Sequence, residues 1–415
     1  KHNAAGKEYI CLEKLNPRLC YSPAKLIAEK NKKQGALNPL RNQFIANIQE
    51  NLNIELSQKL YTLTAPTGSG KTFACLEFTN CIQKLEDTSR RVIYCLPYTS
   101  IIDQNYKEFE SVLHSNLSEQ ATLDYRFIVK HHHLVDYSTV TKAEPTYNLD
   151  ELQKDILSIE SWESACVIST FVQLFHSLIG NRNGMIRKLH NIINSIILLD
   201  EVQNLPADYY PLLRVLFKVL AERFDTFILS CSATQPYLFP QDTYIELCEK
   251  ELFSVPDFNR VKLNIDLKEQ TLDEFCQNYL ELGDSKSILI VMNTKRSALA
   301  IYDYLSSKFK SSYQVLCLTT LHIPLCRQKI IEKIGCIIKE EKTKVVLVST
   351  QLIEAGVDIS FQKVYRDFGP LDSIIQVAGR CNRHNELGEL GGEMFLVNLQ
   401  KDGKFLSHYV YDKYL

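Results

Sequence analysis

Apolar residues along this chain come in short blocks rather than long spans. Stretches such as 60–64, 92–96 and 196–199 are almost wholly apolar, then stop at polar or turn-forming residues. Blocks this short, rich in Val, Ile and Leu, read as strands buried on both faces, as in parallel sheets. Between them the apolar spacing becomes that of amphipathic helices, over 73–85, 100–113 and 206–223. The pattern predicts strands at 61–64, 92–96, 127–130, 166–169, 196–199 and 227–230. A second series is expected at 287–291, 314–318, 345–348, 364–365 and 393–397. Strand–turn–helix repetition of this kind defines an α/β fold of mostly parallel sheets flanked by helices.

The two series are separated by Val255-Pro256-Asp257-Phe258-Asn259-Arg260, a polar, proline-marked stretch. Three segments are therefore expected: an extension or linker over 1–37, a first α/β domain over 38–258 and a second over 259–415. A length of 415 residues suffices for two cores. The net charge of −2 argues against a uniformly basic coat but leaves room for a local basic groove. Thirteen scattered cysteines, many inside apolar runs, read as reduced buried thiols and suit a reducing, cytoplasmic setting. No apolar stretch reaches the roughly 18–20 residues of a membrane span, so no membrane partner is expected.

Candidate chemistry sharpens this picture first at Ala65-Pro66-Thr67-Gly68-Ser69-Gly70-Lys71-Thr72, between a predicted strand and a predicted helix. Glycines let backbone N–H groups curl around phosphates, a lysine meets the β/γ charge, and a hydroxyl completes a Mg²⁺ shell. Thr67, Gly68, Ser69, Gly70, Lys71 and Thr72 thus form a phosphate-binding loop for a nucleoside triphosphate. Ala65 stands where the first glycine of the pattern is usual.

The apolar block 196–199 ends in Asp200-Glu201-Val202-Gln203, at the carboxyl edge where parallel sheets place ligands. Asp200 is expected to hold Mg²⁺, Glu201 to deprotonate the attacking water, and Gln203 to lie near the γ-phosphate. One strand further on, Ser232 and Thr234 of Ser-Ala-Thr are candidate coupling hydroxyls. Gln43, upstream of the loop, is a candidate for reading an adenine edge. Pro97 and Thr99, and Thr170 and Gln173, sit at strand-to-helix turns suited to nucleic-acid phosphates, although such hydroxyls are ordinarily helix caps. Three consecutive histidines, 131–133, point to alternate faces of a strand and cannot all converge on one metal.

In the second half, Gln376-Val377-Ala378-Gly379-Arg380-Cys381-Asn382-Arg383 places two arginines three apart, both facing one way if the segment is helical. Guanidinium groups neutralise charge on a transferred γ-phosphoryl, which here would require the two domains to close. Gln376 belongs to the same motif. Asp358, after the flexible Gly356, is placed for a nucleotide ribose, while Asn293, Thr319 and Thr350 follow predicted strands and suit a nucleic-acid backbone.

Taken in order, 64–72, 200–203, 232–234, 349–358 and 376–383 resemble the motifs of superfamily 2 helicases. Thr350-Gln351-x-x-Glu354-x-x-x-Asp358, the run 169–175 and Phe258-Asn259-Arg260-Val261 are similar to the CRISPR-associated helicase of type I interference systems. The resemblance implies two tandem RecA-like domains and ATP-driven 3′-to-5′ movement on single-stranded DNA. It also implies recruitment by an RNA-guided surveillance complex. That family more often has histidine at the position of Gln203, and its nuclease domain carries a His-Asp dipeptide that this sequence lacks. The nuclease is therefore expected on another segment or polypeptide. The same residues suit an ATP-dependent RNA helicase or a nucleotide-gated clamp with little turnover.

Overall fold

The computed structural model describes residues 20–31, 38–54, 58–117, 123–132, 149–234, 238–248, 252, 260–309, 311–340, 343–354, 357–383, 385–401 and 403–411. The chain divides into two compact units, Lys1–Leu252 and Phe253–Leu415. The expected junction at Phe258 lies outside the described residues.

In the first unit the strands are β1 (Leu60–Thr64), β2 (Arg91–Leu96), β3 (Ile128–His131), β4 (Cys166–Thr170), β5 (Ser195–Asp200), β6 (Phe227–Ser232) and β7 (Ile245–Glu246). They form one sheet in the order β3-β4-β2-β5-β6-β1-β7, every pairing parallel. β2, β5 and β6 are buried at every position, which explains their unbroken apolar character. On one side packs an aromatic-rich cluster that includes Trp162, Phe171, Phe217 and Phe239.

The second unit holds β8 (Val261–Thr271), β9 (Ser287–Val291), β10 (Gln314–Leu318), β11 (Val345–Ser349), β12 (Lys363–Asp367), β13 (Gly392–Lys401) and β14 (Lys404–Phe405). The order is β10-β11-β9-β12-β13-β14, with β8 also paired to β13. Only the β13–β14 pairing is antiparallel. Two clusters, one around Ile290 and Tyr365 and one around Leu289 and Val364, cover its opposite faces. Alternate residues of one strand thus feed two cores, as period-two geometry requires. The eleven predicted strands are all present, while β7, β8 and β14 were not anticipated. β8 alternates apolar and polar residues and is largely exposed, so it lacks the apolar block that marks the others.

Candidate functional site

Thr64, Leu96, Thr170, Asp200 and Ser232 all end their strands at the carboxyl edge of the first sheet. The loop from β1 to the helix Lys71–Leu85 turns through Gly68 and Gly70, at φ 82° and 98°. Those left-handed angles strain any side-chain-bearing residue, so glycine is required at both positions. Ala65 is not among the positive-φ residues, and its N–H donates to Ser232 O at 3.1 Å. Alanine in place of the first glycine therefore carries no conformational penalty. Lys71 is buried and its Nζ donates to Ala65 O at 3.1 Å. Ser69 Oγ is fully buried and has no partner among the described residues. An orphaned hydroxyl beside two left-handed glycines fits a loop built to take phosphate oxygens.

Asp200 is buried at the end of β5. Its Oδ2 accepts from Tyr94 Oη at 2.5 Å and its Oδ1 from the Glu201 N–H at 2.9 Å. Burial, then the neighbouring Glu201, pushes its carboxyl up to about 6, while Lys71 and the Tyr94 hydroxyl oppose that rise. Burial, reinforced by Asp200, raises Tyr94 far above the usual tyrosine range, so it remains a donor. Glu201 adopts φ 59°, an uncommon conformation for a side-chain-bearing residue. Gln203 Nε2 donates to Glu201 Oε2 at 2.5 Å, whereas Gln203 Oε1 is buried without a partner among the described residues. The Thr72 hydroxyl donates to Asn105 Oδ1 at 3.3 Å, which leaves its lone pairs for a cation. Together Thr72 and Asp200 form a hard oxygen donor set suited to Mg²⁺.

Other expected residues take part in hydrogen bonds or packing within the first unit. Thr170 caps the helix Phe171–Ile179, its Oγ1 accepting from Gln173 N at 3.3 Å, and Gln173 Oε1 accepts from Lys188 at 2.9 Å. Ser232 Oγ donates to Thr234 O. Pro97 and Thr99 are half-buried at the turn from β2 into the helix Thr99–Asn116. Gln43 is exposed on the helix Asn38–Ile54. His131 is buried and pushed down to about 3, mainly by desolvation and then by Lys188, so it stays neutral. His133 is outside the described residues, and among those described no cluster of three or more His, Cys, Asp or Glu side chains is arranged to hold a metal.

The arginine motif departs from expectation. The helix Leu371–Ala378 ends before it, so Arg380 and Arg383 do not share a helical face. The Phe361 N–H donates to Arg380 O at 2.9 Å and the Asn382 N–H to Phe361 O at 2.8 Å, while Asn382 takes φ 43°. These bonds claim the backbone groups a continued helix would use. Arg380 is buried, its Nε and Nη2 donating to the carbonyls of Ile353 and Glu354 at 3.1 and 2.6 Å. Arg383 instead pairs with Asp358, Nε to Oδ1 at 2.7 Å. Asp358 is thus committed first to an arginine rather than standing alone for a ribose. Gln376 is buried on the helix, and Gly356 is outside the described residues.

Asn293, Thr319 and Thr350 are all buried at strand ends of the second unit. Asn293 bridges Phe368 O, at 2.6 Å, and Arg366, at 2.7 Å, so its amide is held within the unit. Arg366 and Glu354 form a buried pair at 3.3 Å that sequence reasoning missed. The only signal was an arginine placed immediately after the predicted strand 364–365.

Two RecA-like sheets, a phosphate loop and an Asp-Glu strand end are features that superfamily 2 helicases share, and the similarities of this chain run to that class. Residues 39–243 match the DEAD/DEAH box helicase family. Residues 284–386 match the family described as CRISPR-associated nuclease/helicase Cas3, C-terminal. The CRISPR-associated nuclease/helicase Cas3 of Haloferax volcanii is 27% identical over 439 residues, covering 81% of this chain and 46% of the relative. T. fusca Cas3 solved with AMPPNP superposes with a TM-score of 0.65 at 16% identity, over 88% of this chain and 48% of that one. A chain of a CRISPR RNA-guided surveillance complex in its pre-nicking state gives 0.57 at 17% identity, over 86% and 45%. The chain is thus similar to Cas3-type helicases, and it spans about half the length of the relatives it matches. No described helix is long and apolar enough to cross a membrane.

Proposed function

We propose that this chain is the motor part of a CRISPR-associated interference system, hydrolysing ATP to move 3′-to-5′ along single-stranded DNA. The observation that carries the reading is the convergence of the Gly68–Thr72 loop, Asp200 and Glu201 on one sheet edge, with Lys71 close enough to favour the ionised Asp200 carboxylate against its burial. The loop amides and Lys71 would hold the phosphates, and Thr72 and Asp200 would hold Mg²⁺, which polarises the γ-phosphate when bound. Glu201, held by Gln203, would take the proton of the attacking water. The buried acceptor Gln203 Oε1 suits a second hydrogen bond from that water.

Single-stranded DNA is taken to track the strand-end turns at Pro97–Thr99 and Thr170–Gln173. An RNA-guided surveillance complex and a nuclease domain or subunit are the partners this role requires. The relatives' names and the surveillance-complex likeness support that setting. The test is phosphate release measured with single-stranded DNA, with RNA and with neither. Stimulation by DNA is expected. Stimulation by RNA alone would make the chain an RNA helicase, and tight nucleotide-dependent DNA binding without phosphate release would make it a clamp.

A further inference from the structure

β2 and the helix Thr99–Asn116 send three side-chain hydrogen bonds into the nucleotide site, all within the first unit. Tyr94 Oη donates to Asp200 Oδ2 at 2.5 Å. Asn105 Oδ1 accepts the Thr72 hydroxyl at 3.3 Å. Tyr98 Oη donates to Asn204 Oδ1 at 3.1 Å, and Asn204 Nδ2 donates in turn to Glu201 O at 3.1 Å. Between Tyr94 and Asn105 lies the Pro97–Thr99 turn, along which the proposed nucleic-acid strand runs.

We infer that this strand–turn–helix segment is the relay by which an occupied nucleic-acid face sets the geometry of the phosphate site, with Tyr98 and Asn105 as its positioning residues. The inference rests on the function proposed above. The strand and helix are locked together, because the Tyr94 ring packs against Phe109 of the same helix at 4.7 Å between centroids and both are fully buried. A strand of nucleic acid that shifts the turn must therefore also shift Tyr94 and Asn105. Asn105 is itself buried, so it follows the helix instead of rotating away. The consequences are chemical. By accepting the Thr72 hydrogen bond, Asn105 aims that oxygen's lone pairs at the proposed cation position. Tyr94 and the Glu201 amide hold one Asp200 oxygen each, fixing the carboxylate plane. Tyr98, about half exposed, ties the outer side of the turn to the segment 202–204 that carries Gln203.

Linkage makes the relay measurable without turnover, since ATP must change DNA affinity by the factor by which DNA changes ATP affinity. The experiment titrates a labelled single-stranded oligonucleotide by anisotropy, with and without a non-hydrolysable ATP analogue and Mg²⁺. Wild type, Tyr98→Phe and Asn105→Ala are compared, alongside phosphate release with and without DNA. Tyr98→Phe removes one surface hydroxyl, which keeps the test sound if Asn105→Ala fails to fold. The expected result is a coupling factor reduced about threefold or more in Tyr98→Phe, the scale of one hydrogen bond; as the ratio of DNA affinities with and without the analogue, it is independent of any change in nucleotide-free DNA affinity. DNA stimulation of phosphate release should fall in parallel. A wild-type coupling factor in a folded Tyr98→Phe would overturn the relay and leave the proposed function standing. A wild type coupled to neither DNA nor RNA would overturn both. A wild type coupled to RNA alone would overturn only the DNA assignment, and loss of that RNA coupling in Tyr98→Phe would uphold the relay.

Discussion

Replacing Arg366 with methionine should be among the most damaging single changes in the second unit. Its guanidinium is fully buried and donates to Asn293 Oδ1 at 2.7 Å, Ser373 Oγ at 2.6 Å and Tyr411 Oη at 2.9 Å, besides pairing with Glu354 at 3.3 Å. The Coulomb attraction at that separation is about 5 kcal/mol at an effective dielectric of about 20. Desolvation offsets much of it, so the intact pair adds little net stability. Removing only the arginine is different, because it leaves Glu354 buried without its counter-charge and should cost about 3–5 kcal/mol. Burial already raises the Glu354 pKa, with Arg366 the leading opposing influence. In Arg366→Met its folded pKa rises further above the unfolded value of 4.5, so the variant loses stability as pH climbs through that window. Its deficit should therefore be smaller at pH 5 than at pH 8. Urea unfolding followed by circular dichroism gives the cost, while fluorescence of the one tryptophan, Trp162, reports the first unit separately. A double variant with Glu354→Leu should be less destabilised than the sum of the singles. A single-variant cost below about 1 kcal/mol, or full additivity, would refute the reasoning.

Two further outcomes are expected. Lys71→Ala should lower ATP turnover by about 10²-fold or more, the scale for removing one preorganised electrostatic contact; phosphate release checks it, and a tenfold loss or less would be too small. Asp367, almost fully buried, is pushed up to about 7, chiefly by burial and with Arg366 opposing. Its folded pKa lies above the unfolded 3.8, so the folded state holds the extra proton between those values and wild-type stability falls as pH rises through them. Asp367→Asn lacks that slope of at most about 1.4 kcal/mol per pH unit, and its melting temperature should gain on wild type between pH 4 and pH 8. Parallel pH profiles for the two proteins would count against it.

What was legible follows from how each element is covered. The strands 287–291 and 314–318 emerge with the boundaries expected from their apolar blocks. β8 was illegible because an edge strand open to water on most positions has no such block. The arginine motif misled for another reason. Gln376 to Ala378 is helical, and nothing local signals that Phe361, far back in the chain, claims the next backbone groups.

The candidate site divides along the same line. Lys71, Thr72, Asp200 and Glu201 were readable because each lies in a contiguous motif whose chemistry is local. Tyr94, Asn105 and Arg366 were not, since each meets its partner across the fold: Tyr94 reaches Asp200 over 106 positions, and Arg366 reaches Asn293 over 73. Yet these residues decide which way the readable ones point. A carboxylate at a strand end is only an acid until Tyr94 and the Glu201 amide fix its two oxygens, and Thr72 is only a helix-start hydroxyl until Asn105 accepts its hydrogen bond. It follows that a second chain with the same motifs but phenylalanine at Tyr94 would keep its triphosphate loop. It would hold Asp200 by one oxygen, and its nucleotide affinity should then depend on higher Mg²⁺ concentrations. Fluorescent-nucleotide titration of Tyr94→Phe against Mg²⁺ tests this directly, and an unchanged Mg²⁺ midpoint would show that Asp200 is oriented without the tyrosine.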